Sequence, residues 1–258
     1  MGRLPVQGVG WYRRKLSIAS TELGKSIYLE IDGAMSYAMV WLNGNLVGGW
    51  PYGYNSFRLD LTPYLRSGDN QLAIRLDNPT DSSRWYPGGG LYRNLWLTKV
   101  DPTHVAQWGT FISTRNVSTQ SATLDIVIQV ENNGNGSRLV ELVTDVHSLD
   151  PWSGSSLEKV TTFPSSYLNM SAGHKQSINS SVTIKRPRIW HPLTTPQRDI
   201  DARMYLATTR VILGNKTIDT YDTRFGVRSI TFDPEKGLLV NGQHVRIQGV
   251  NQHHDLGA

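Results

Sequence analysis

The sequence contains no cysteine, so the chain forms neither disulfide bonds nor thiolate metal sites. Charged residues make up only 18% of its 258 residues, and the apolar residues show almost no helical periodicity. Helical bundles draw heavily on Lys, Glu and Ala, so this composition argues against them. No apolar run approaches the roughly 18 residues of a membrane-spanning helix, and the first residues lack the apolar core of a signal peptide. We therefore expect no membrane partner.

The residues that are abundant are those of β-sheets and their turns. The chain has 24 glycines, 11 tyrosines and 8 tryptophans, a composition typical of β-sandwiches with aromatic loops. Its formal net charge of +5 would suit a nucleic-acid partner, but the basic residues are scattered apart from two runs, Arg13–Lys15 and Lys185–Arg188. Such charges commonly protect strand edges from pairing with other chains. The sequence therefore predicts no nucleic-acid partner.

Sites for N-linked glycosylation bear on the compartment of the protein. Asn-x-Ser/Thr sequons can be glycosylated in a secretory pathway, and they favour a periplasmic or secreted protein over a cytoplasmic one. The chain has five of them, at Asn116, Asn135, Asn169, Asn179 and Asn215.

The first hundred residues predict a β-sandwich, because strand-length apolar runs alternate with Gly, Pro, Asn and Ser. Asn43-Gly44 predicts a hairpin turn between two of these runs. Leu59–Leu65 is typical of a short helical turn, and Asp101-Pro102 closes the unit. The clearest strands are predicted at Ser26–Ile31, Tyr37–Leu42, Asn70–Leu76 and Leu91–Val100.

A second unit of about the size of an immunoglobulin-like sandwich follows, over residues 104–228. Ala122–Val130 alternates apolar and other residues with the period of a strand buried on one face. Residues 131–136 are predicted to form a flexible connection and Leu139–Val146 the return strand. Met204–Leu213 and Lys216–Tyr221 predict a further hairpin, whereas Ser153–Ser166 and Leu193–Asp199 are expected to be irregular.

The last thirty residues predict a short hairpin at Asn241-Gly242 and then a buried strand, Val245–Val250. A polar cluster, Asn251 to Asp255, comes directly after that strand. Polar side chains at the carboxyl ends of strands are where α/β barrels place their chemistry. The pattern is thus typical of the first strand of the α/β barrel of an enzyme.

Taken in order, these segments resemble the amino-terminal part of glycoside hydrolase family 2. Trp190–Pro192, Tyr205 and Phe225–Arg228 resemble its immunoglobulin-like domain, and the last segment resembles the first strand of its (β/α)8 barrel. The resemblance to its sugar-binding domain lies in Tyr28–Gly33, Val40–Gly48, Tyr52–Phe57, Leu61–Leu65, Gly68–Arg75, Ser83–Tyr86 and Gly90–Trp96.

The resemblance implies an all-β chain with three parts. A jelly-roll, galactose-binding-like sandwich is expected over residues 1–103, an immunoglobulin-like β-sandwich over 104–228, and a linker with the truncated start of a (β/α)8 barrel over 229–258. Asn251–Asp255 looks most like β-galactosidases. The implied activity is that of a retaining hydrolase of terminal β-galactosides.

The chemistry of such an enzyme requires two carboxylates about 5–5.5 Å apart. The family provides both as late-barrel glutamates, one of them preceded by asparagine. This chain has six glutamates, none after an asparagine, and all are expected to be surface or turn carboxylates. We therefore predict no catalytic residue, no cofactor and no activity for the chain alone.

The resemblance implies substrate-binding residues in two places. His253 is expected to hydrogen-bond a galactosyl hydroxyl, with a hairpin or core histidine as the alternative. Asn251, His254 and Asp255 lie beside it, and Asp255 could instead orient an imidazole. Adjacent histidines in a strand point to opposite faces, so no metal site is expected.

The second place is the glycine-rich loop that contains Arg84, Trp85 and Tyr86. An aromatic ring there could stack on a sugar or pack between domains. Asn94 stands where some family members carry an acid, and an amide has hydrogen-bonding groups without the charge. Five aromatic residues are instead expected to lie in the core or in domain packing, namely Trp41, Trp50, Tyr52, Tyr54 and Phe57.

Two alternatives to the β-galactosidase remain open. One is a stand-alone carbohydrate-binding or scaffold module, although an unpaired barrel strand would expose Val245, Ile247 and Val250. The other is a β-glucuronidase or β-mannosidase of the same family. In each case the partner is a carbohydrate, and a homo-oligomer is possible.

Overall fold

A computed structural model describes residues 8–80, 88–150, 153–192 and 203–250. The chain folds into two compact units that divide between Asp101 and Pro102. Both consist of antiparallel β-sheets arranged as sandwiches, which confirms the predicted all-β class. Within the described residues, no helix has the length and apolar character needed to cross a bilayer.

The first unit contains a four-stranded sheet in the order β1-β7-β4-β5 and a three-stranded sheet in the order β6-β2-β9, with β3 and β8 forming a small separate pair. Two short 3-10 helices occupy Ser20–Glu22 and Thr62–Tyr64. The strands are β1 (Gly8–Ile18), β2 (Ser26–Ile31), β3 (Ala34–Met35), β4 (Ala38–Leu42), β5 (Asn45–Trp50), β6 (Phe57–Asp60), β7 (Gly68–Asn78), β8 (Gly90–Leu91) and β9 (Leu95–Val100).

Alternation of side chains explains the core of this unit. In β7, Leu72, Ile74 and Leu76 are buried, and the residues between them face outward, as the period of a strand requires. The predicted hairpin at Asn43-Gly44 joins β4 to β5, and both residues have the positive φ of a tight primed turn. The predicted strand Leu91–Val100 is divided, because Tyr92–Asn94 turn between β8 and β9.

The second unit has a three-stranded sheet in the order β10-β11-β15, facing a sheet in the order β13-β12-β16-β17 in which β14 also pairs with β12. A small sheet, β18-β19-β20, follows. The strands are β10 (Thr103–Arg115), β11 (Ser121–Asn132), β12 (Arg138–Leu149), β13 (Ser156–Thr162), β14 (Ser166–Met170), β15 (Lys175–Lys185), β16 (Met204–Leu213), β17 (Lys216–Gly226), β18 (Ile230–Asp233), β19 (Gly237–Val240) and β20 (Gln243–His244).

The two larger sheets bury one aliphatic and aromatic core. The alternating residues of β11 predicted to be buried, Leu124 to Val130, lie in it together with Val140, Leu142 and Val211 from the facing sheet. Tyr205 stacks on Phe225 with ring centroids 5.5 Å apart, and its hydroxyl accepts a hydrogen bond of 2.7 Å from the Arg188 amide. The predicted hairpin of β16 and β17 is confirmed.

Three local predictions for this unit are wrong. Leu139–Val146 does form a strand, within β12, but it does not return beside β11, since both edges of β11 are occupied by β10 and β15 and β12 lies in the facing sheet. The connection is also anchored rather than flexible, because Asn132 is fully buried and its amide donates to the carbonyls of Gly136 and Met170. Ser153–Ser166 includes the strand β13, whereas Leu193–Asp199 lies outside the described residues.

The prediction of a buried strand at Val245–Val250 is wrong as well. The hairpin at Asn241-Gly242 forms, but its second strand, β20, ends at His244. Val250 is 90% exposed, and Ile247 is also exposed. A buried strand needs neighbours along its edges, and among the described residues only the Val245 amide bonds to a strand, donating to the Leu238 carbonyl of β19.

A buried charged group in the second unit corrects the expectation that every glutamate is a surface or turn residue. Glu131 is 4% exposed, and its carboxylate lies 2.8 Å from both His104 Nε2 and Lys175 Nζ. The hydrogen bond from His104, together with the contact from Lys175, outweighs the effect of burial and lowers the pKa of Glu131 to about 2. This carboxylate therefore has a structural role.

Candidate functional site

Of the predicted substrate-binding residues, the structure places Asn94. The others lie outside the described residues, so their roles stay predictions: Arg84, Trp85, Tyr86, Asn251, His253, His254 and Asp255. The site is therefore built from Asn94 and what surrounds it in the first unit.

Asn94 belongs to a turn that the small sheet of β3 and β8 holds in place. Met35 pairs with Gly90 and Ala34 with Leu91, after which the chain turns through Tyr92–Asn94 into β9. The backbone carbonyl of Asn94 accepts a hydrogen bond of 3.0 Å from the amide of Asp32. The side chain of Asn94 is exposed. It is thus available to a ligand at the end of the sandwich where strands β2 and β9 meet their loops.

Tyr92 is the best-held side chain of this turn. Its hydroxyl donates a hydrogen bond of 2.8 Å to the carbonyl of Gly53, and its ring lies over Gly33. A Cβ atom at Gly33 would be 2.7 Å from the ring, closer than real contacts allow, so this approach requires glycine. Partial burial raises the pKa of Tyr92 above the ordinary tyrosine value, at which the phenol is already protonated at neutral pH.

Two further tyrosines extend from Tyr92 and form with it the tyrosine cluster, defined as Tyr52, Tyr54 and Tyr92. The rings of Tyr54 and Tyr92 are 6.4 Å apart and those of Tyr52 and Tyr54 are 5.5 Å apart, each pair edge to face. The guanidinium of Arg93 lies 5.6 Å from the Tyr92 ring centroid. The cluster therefore presents aromatic edges and faces beside Asn94.

The prediction that five aromatic residues lie in the core or in domain packing is only partly correct. Phe57 is buried, as expected, and Trp41 and Tyr54 are half-buried. Tyr52 is 56% exposed, and Trp50 is exposed as well. These two rings lie where the chain leaves β5, with no core side of a sheet to cover them. They are thus surface rather than core residues of the first unit.

Asp32 is the acidic group of the site. Its Oδ2 accepts a hydrogen bond of 2.9 Å from Trp96 Nε1, and its backbone carbonyl accepts one of 3.1 Å from Ser56 Oγ. The Trp96 contact orients the carboxylate, and the Ser56 contact holds the backbone of the same residue. Since an ionised carboxylate has about four acceptor positions, Asp32 can also accept hydrogen bonds from a ligand's hydroxyl groups.

Aromatic faces, a neutral phenol, an amide and an oriented carboxylate are groups that bind a polyhydroxylated ligand. Among the described residues, no group of three or more His, Asp or Glu side chains could hold a metal ion. Glu22 and Glu30 are paired with Lys99 and Arg58. The described part of the site therefore provides recognition groups, and these glutamates serve as ion-pair partners.

The roles of Tyr92 and Asp32 were missed from sequence, although both lie in segments that carry the family resemblance. The signal is indirect, because Gly33 and Gly53 are far from Tyr92 along the chain. Only when the strands are paired does Gly33 contact the Tyr92 ring and does the Gly53 carbonyl accept a hydrogen bond from the Tyr92 hydroxyl.

Comparison with known families matches nearly the whole chain. Residues 4–99 match the model described as the sugar binding domain of glycosyl hydrolases family 2, and residues 103–228 match a second model described as glycosyl hydrolases family 2. The two matches follow each other in the order predicted from the sequence.

Similar proteins carry two different enzyme names. The chain is 37% identical to a β-galactosidase, BoGH2A, of Bacteroides ovatus, over 99% of the chain and 29% of that protein. It is 33% identical to a putative β-glucuronidase of Formosa agariphila, over 97% of the chain and 22% of that protein. The chain thus spans under a third of the length of these relatives.

Solved structures also match nearly the whole chain. A glycosyl hydrolase family 2 member from Bacteroides cellulosilyticus superimposes with a TM-score of 0.84 at 28% identity, covering 95% of this chain and 32% of that one. A structure described as a β-glucuronidase from glycoside hydrolase family 2 gives a TM-score of 0.83 at 26% identity, covering 96% and 27%.

Proposed function

Because the chain belongs to glycosyl hydrolase family 2, we propose that it is the amino-terminal part of a retaining glycosidase that hydrolyses terminal β-galactosides. The observation that supports a carbohydrate substrate is the tyrosine cluster beside Asp32 and Asn94. Its groups offer stacking and hydrogen bonds to a sugar.

The proposed reaction is a double displacement through a covalent glycosyl-enzyme. One carboxylate attacks the anomeric carbon while a second protonates the leaving oxygen, and water later releases the sugar. Glu22, Glu30 and Glu131 are engaged in ion pairs with Lys99, Arg58 and Lys175. Because the chain spans under a third of the length of its relatives, we assign the reacting pair to a barrel beyond the 258 residues, and substrate positioning to this chain.

Within that enzyme, two further groups are proposed to contact the sugar. His253, with Asn251, His254 and Asp255 beside it, would provide hydrogen bonds at the start of the barrel. Arg84, Trp85 and Tyr86 would act from the loop that leads into β8, the strand that precedes Asn94. The linker and first barrel strand over 229–258 remain part of this proposal.

One acidic group of the described site supports a galactoside over a glucuronide. Asp32 would repel the carboxylate of a glucuronide, and Asn94 and the tyrosines are neutral. The β-glucuronidase names among the relatives support the second candidate, and Arg93 is a cation at the site that could pair with such a carboxylate. A stand-alone binding module is the third candidate, and a homo-oligomer is compatible with all three.

The decisive experiment compares this 258-residue chain with a version extended through a complete barrel. Both are assayed with chromogenic β-galactoside and β-glucuronide substrates of the same aglycone. We expect hydrolysis of the galactoside by the extended protein only, because the chain alone lacks the reacting carboxylates.

Other outcomes separate the candidates. Preference of the extended protein for the glucuronide, abolished by Arg93→Gln, would establish the β-glucuronidase instead. Hydrolysis by the 258-residue chain would contradict the assignment of the carboxylates. If neither protein hydrolyses either substrate, saturable galactose binding by the short chain would favour the module.

A further inference from the structure

The outer face of the four-stranded sheet in the first unit carries aromatic and apolar side chains that the core does not use. Trp11 is 47% exposed, Leu46 is 50% exposed, and Met39 lies at the surface between them. The Trp11 and Trp41 rings lie side by side, with centroids 5.3 Å apart and planes inclined by 35°. We call these four residues the outer platform.

The register of the strands explains why these residues share a face. Trp11 pairs with Arg75 and Arg75 with Met39, so the three stand in one row across β1, β7 and β4. Trp41 pairs with Ala73 and with Leu46 in the next row. Residues directly opposite each other in antiparallel strands project to the same side. The buried side chains Leu72 and Ile74 alternate with this set and face the core.

Glycine residues make part of this face flat. The row of Trp11, Arg75 and Met39 continues to Gly49, and a Cβ atom there would lie 1.9 Å from the Ala38 carbonyl oxygen. Only glycine fits at that position. A shallow depression of about 510 Å³ results, lined by Gly48, Gly49, Leu46 and Trp50 among others.

The depression also has a polar centre. Arg75 Nη2 donates to Asp77 Oδ2 over 2.9 Å, and both side chains line the depression while remaining partly exposed. The pair has no net charge, yet the guanidinium and the carboxylate keep further donors and acceptors. The guanidinium of Arg13 lies over the Trp11 ring at 5.3 Å. Hydrogen-bonding groups are therefore placed between aromatic faces.

We propose that the outer platform is a carbohydrate-binding surface for a neutral polysaccharide with a flat, β-1,4-linked backbone. Equatorial linkages give such a chain flat faces of C–H groups with hydroxyls at the edges. The C–H faces suit Trp11 and Trp41, and the hydroxyls suit the Arg75–Asp77 pair. The cores of protein–protein interfaces are depleted of charged residues, whereas this face has an ion pair at its centre.

Native gel electrophoresis with hydroxyethyl cellulose in the gel tests the proposal independently of any hydrolysis. The 258-residue chain should migrate more slowly in the gel with hydroxyethyl cellulose than in a plain gel. In a gel with the α-linked polymer dextran it should migrate as fast as in the plain gel. Trp11→Ala and Arg75→Met should each weaken binding at least tenfold, and Trp11→Phe should retain part of it.

Tyr167→Ala is the matched control, since Tyr167 is an exposed aromatic residue on β14 in the second unit, and it should leave retardation unchanged. Circular dichroism verifies that every variant is folded. Equal mobility with and without hydroxyethyl cellulose, or retardation that survives both Trp11→Ala and Arg75→Met, would overturn the proposal. Loss of binding in the extended protein would show instead that the rest of the polypeptide covers this face.

Discussion

At the scale of single residues, the buried carboxylate of Glu131 makes the stability of the second unit depend on pH. Its pKa in the folded chain is about 2, against an ordinary value of 4.5. A carboxylate whose pKa is lowered by folding stabilises the folded state above its unfolded pKa and loses that contribution as the pH falls. A shift of this size corresponds to about 3 kcal/mol, an upper limit because Lys175 is largely exposed.

We therefore predict that Glu131→Gln lowers the free energy of unfolding by about 2–3 kcal/mol at pH 7, since His104 and Lys175 lose their anionic partner. The difference in the free energy of unfolding between this variant and the unchanged chain should become smaller as the pH falls from 4.5 to 2. Urea denaturation at several pH values measures it, with Glu141→Gln on β12 as a control. A difference that is independent of pH would contradict the ionised state of Glu131.

The close approach of Gly33 to Tyr92 yields a second prediction at this scale. Gly33→Ala places a methyl group 2.7 Å from the ring and should displace Tyr92 from its hydrogen bond to Gly53. We expect a loss of about 1–3 kcal/mol in stability. In the extended enzyme, KM for the β-galactoside should rise more than kcat falls, because we propose that the tyrosine cluster positions the substrate.

Gly24→Ala is the matched control, because a Cβ atom at Gly24 meets no atom within 4 Å. Thermal unfolding and steady-state kinetics of both variants test the role of Gly33. Identical behaviour of the two variants would show that Tyr92 does not depend on it.

At the scale of elements, the path of the chain from β11 to β12 depends on one buried amide. Asn132 donates to the carbonyls of Gly136 and Met170 and accepts from Thr103 Oγ1 at 2.9 Å. These bonds join the end of β11 to the beginning of β10 and to the end of β14. The crossing from one sheet to the facing sheet is thereby held at a fixed point.

Asn132→Ala should therefore destabilise the second unit by roughly 2–3 kcal/mol, since it leaves several buried polar groups without partners. Asn135→Ala, at an exposed position of the same connection, should change stability by less than about 0.5 kcal/mol. Chemical denaturation of both variants compares the two. Equal effects would mean that the connection is held by something other than the Asn132 amide.

At the scale of the whole molecule, each unit has its own core. The first core is built from residues of both its sheets, such as Leu29, Val40 and Ile74, and the second from residues such as Leu124, Leu142 and Val211. Sandwiches of this size are stable supports for loops, and binding residues are commonly carried on loops. In this chain the tyrosine cluster and Asn94 occupy such positions.

Most strands of this fold were predictable because the period of two is a local property. The alternation in β11 and the turns at Asn43-Gly44 and Gly214-Asn215 place strands and hairpins without reference to distant residues. Strand partners were less predictable, as β12 shows, because pairing depends on which edges are already occupied. Val245–Val250 has the composition of a buried strand, yet burial requires neighbours that its own sequence does not contain.

The sequence by itself determined the all-β class, the order of the two sandwich domains and the family, since each follows from local periodicity or from motifs in a fixed order. Only the tertiary structure decided that Glu131 is buried, that Tyr92 rests on Gly33 and bonds to Gly53, and that the tryptophans of β1 and β4 meet on one outer face. The reason is physical. Burial, pKa shifts and surface shape arise from contacts between residues that are distant along the chain, and these contacts exist only once the strands have paired.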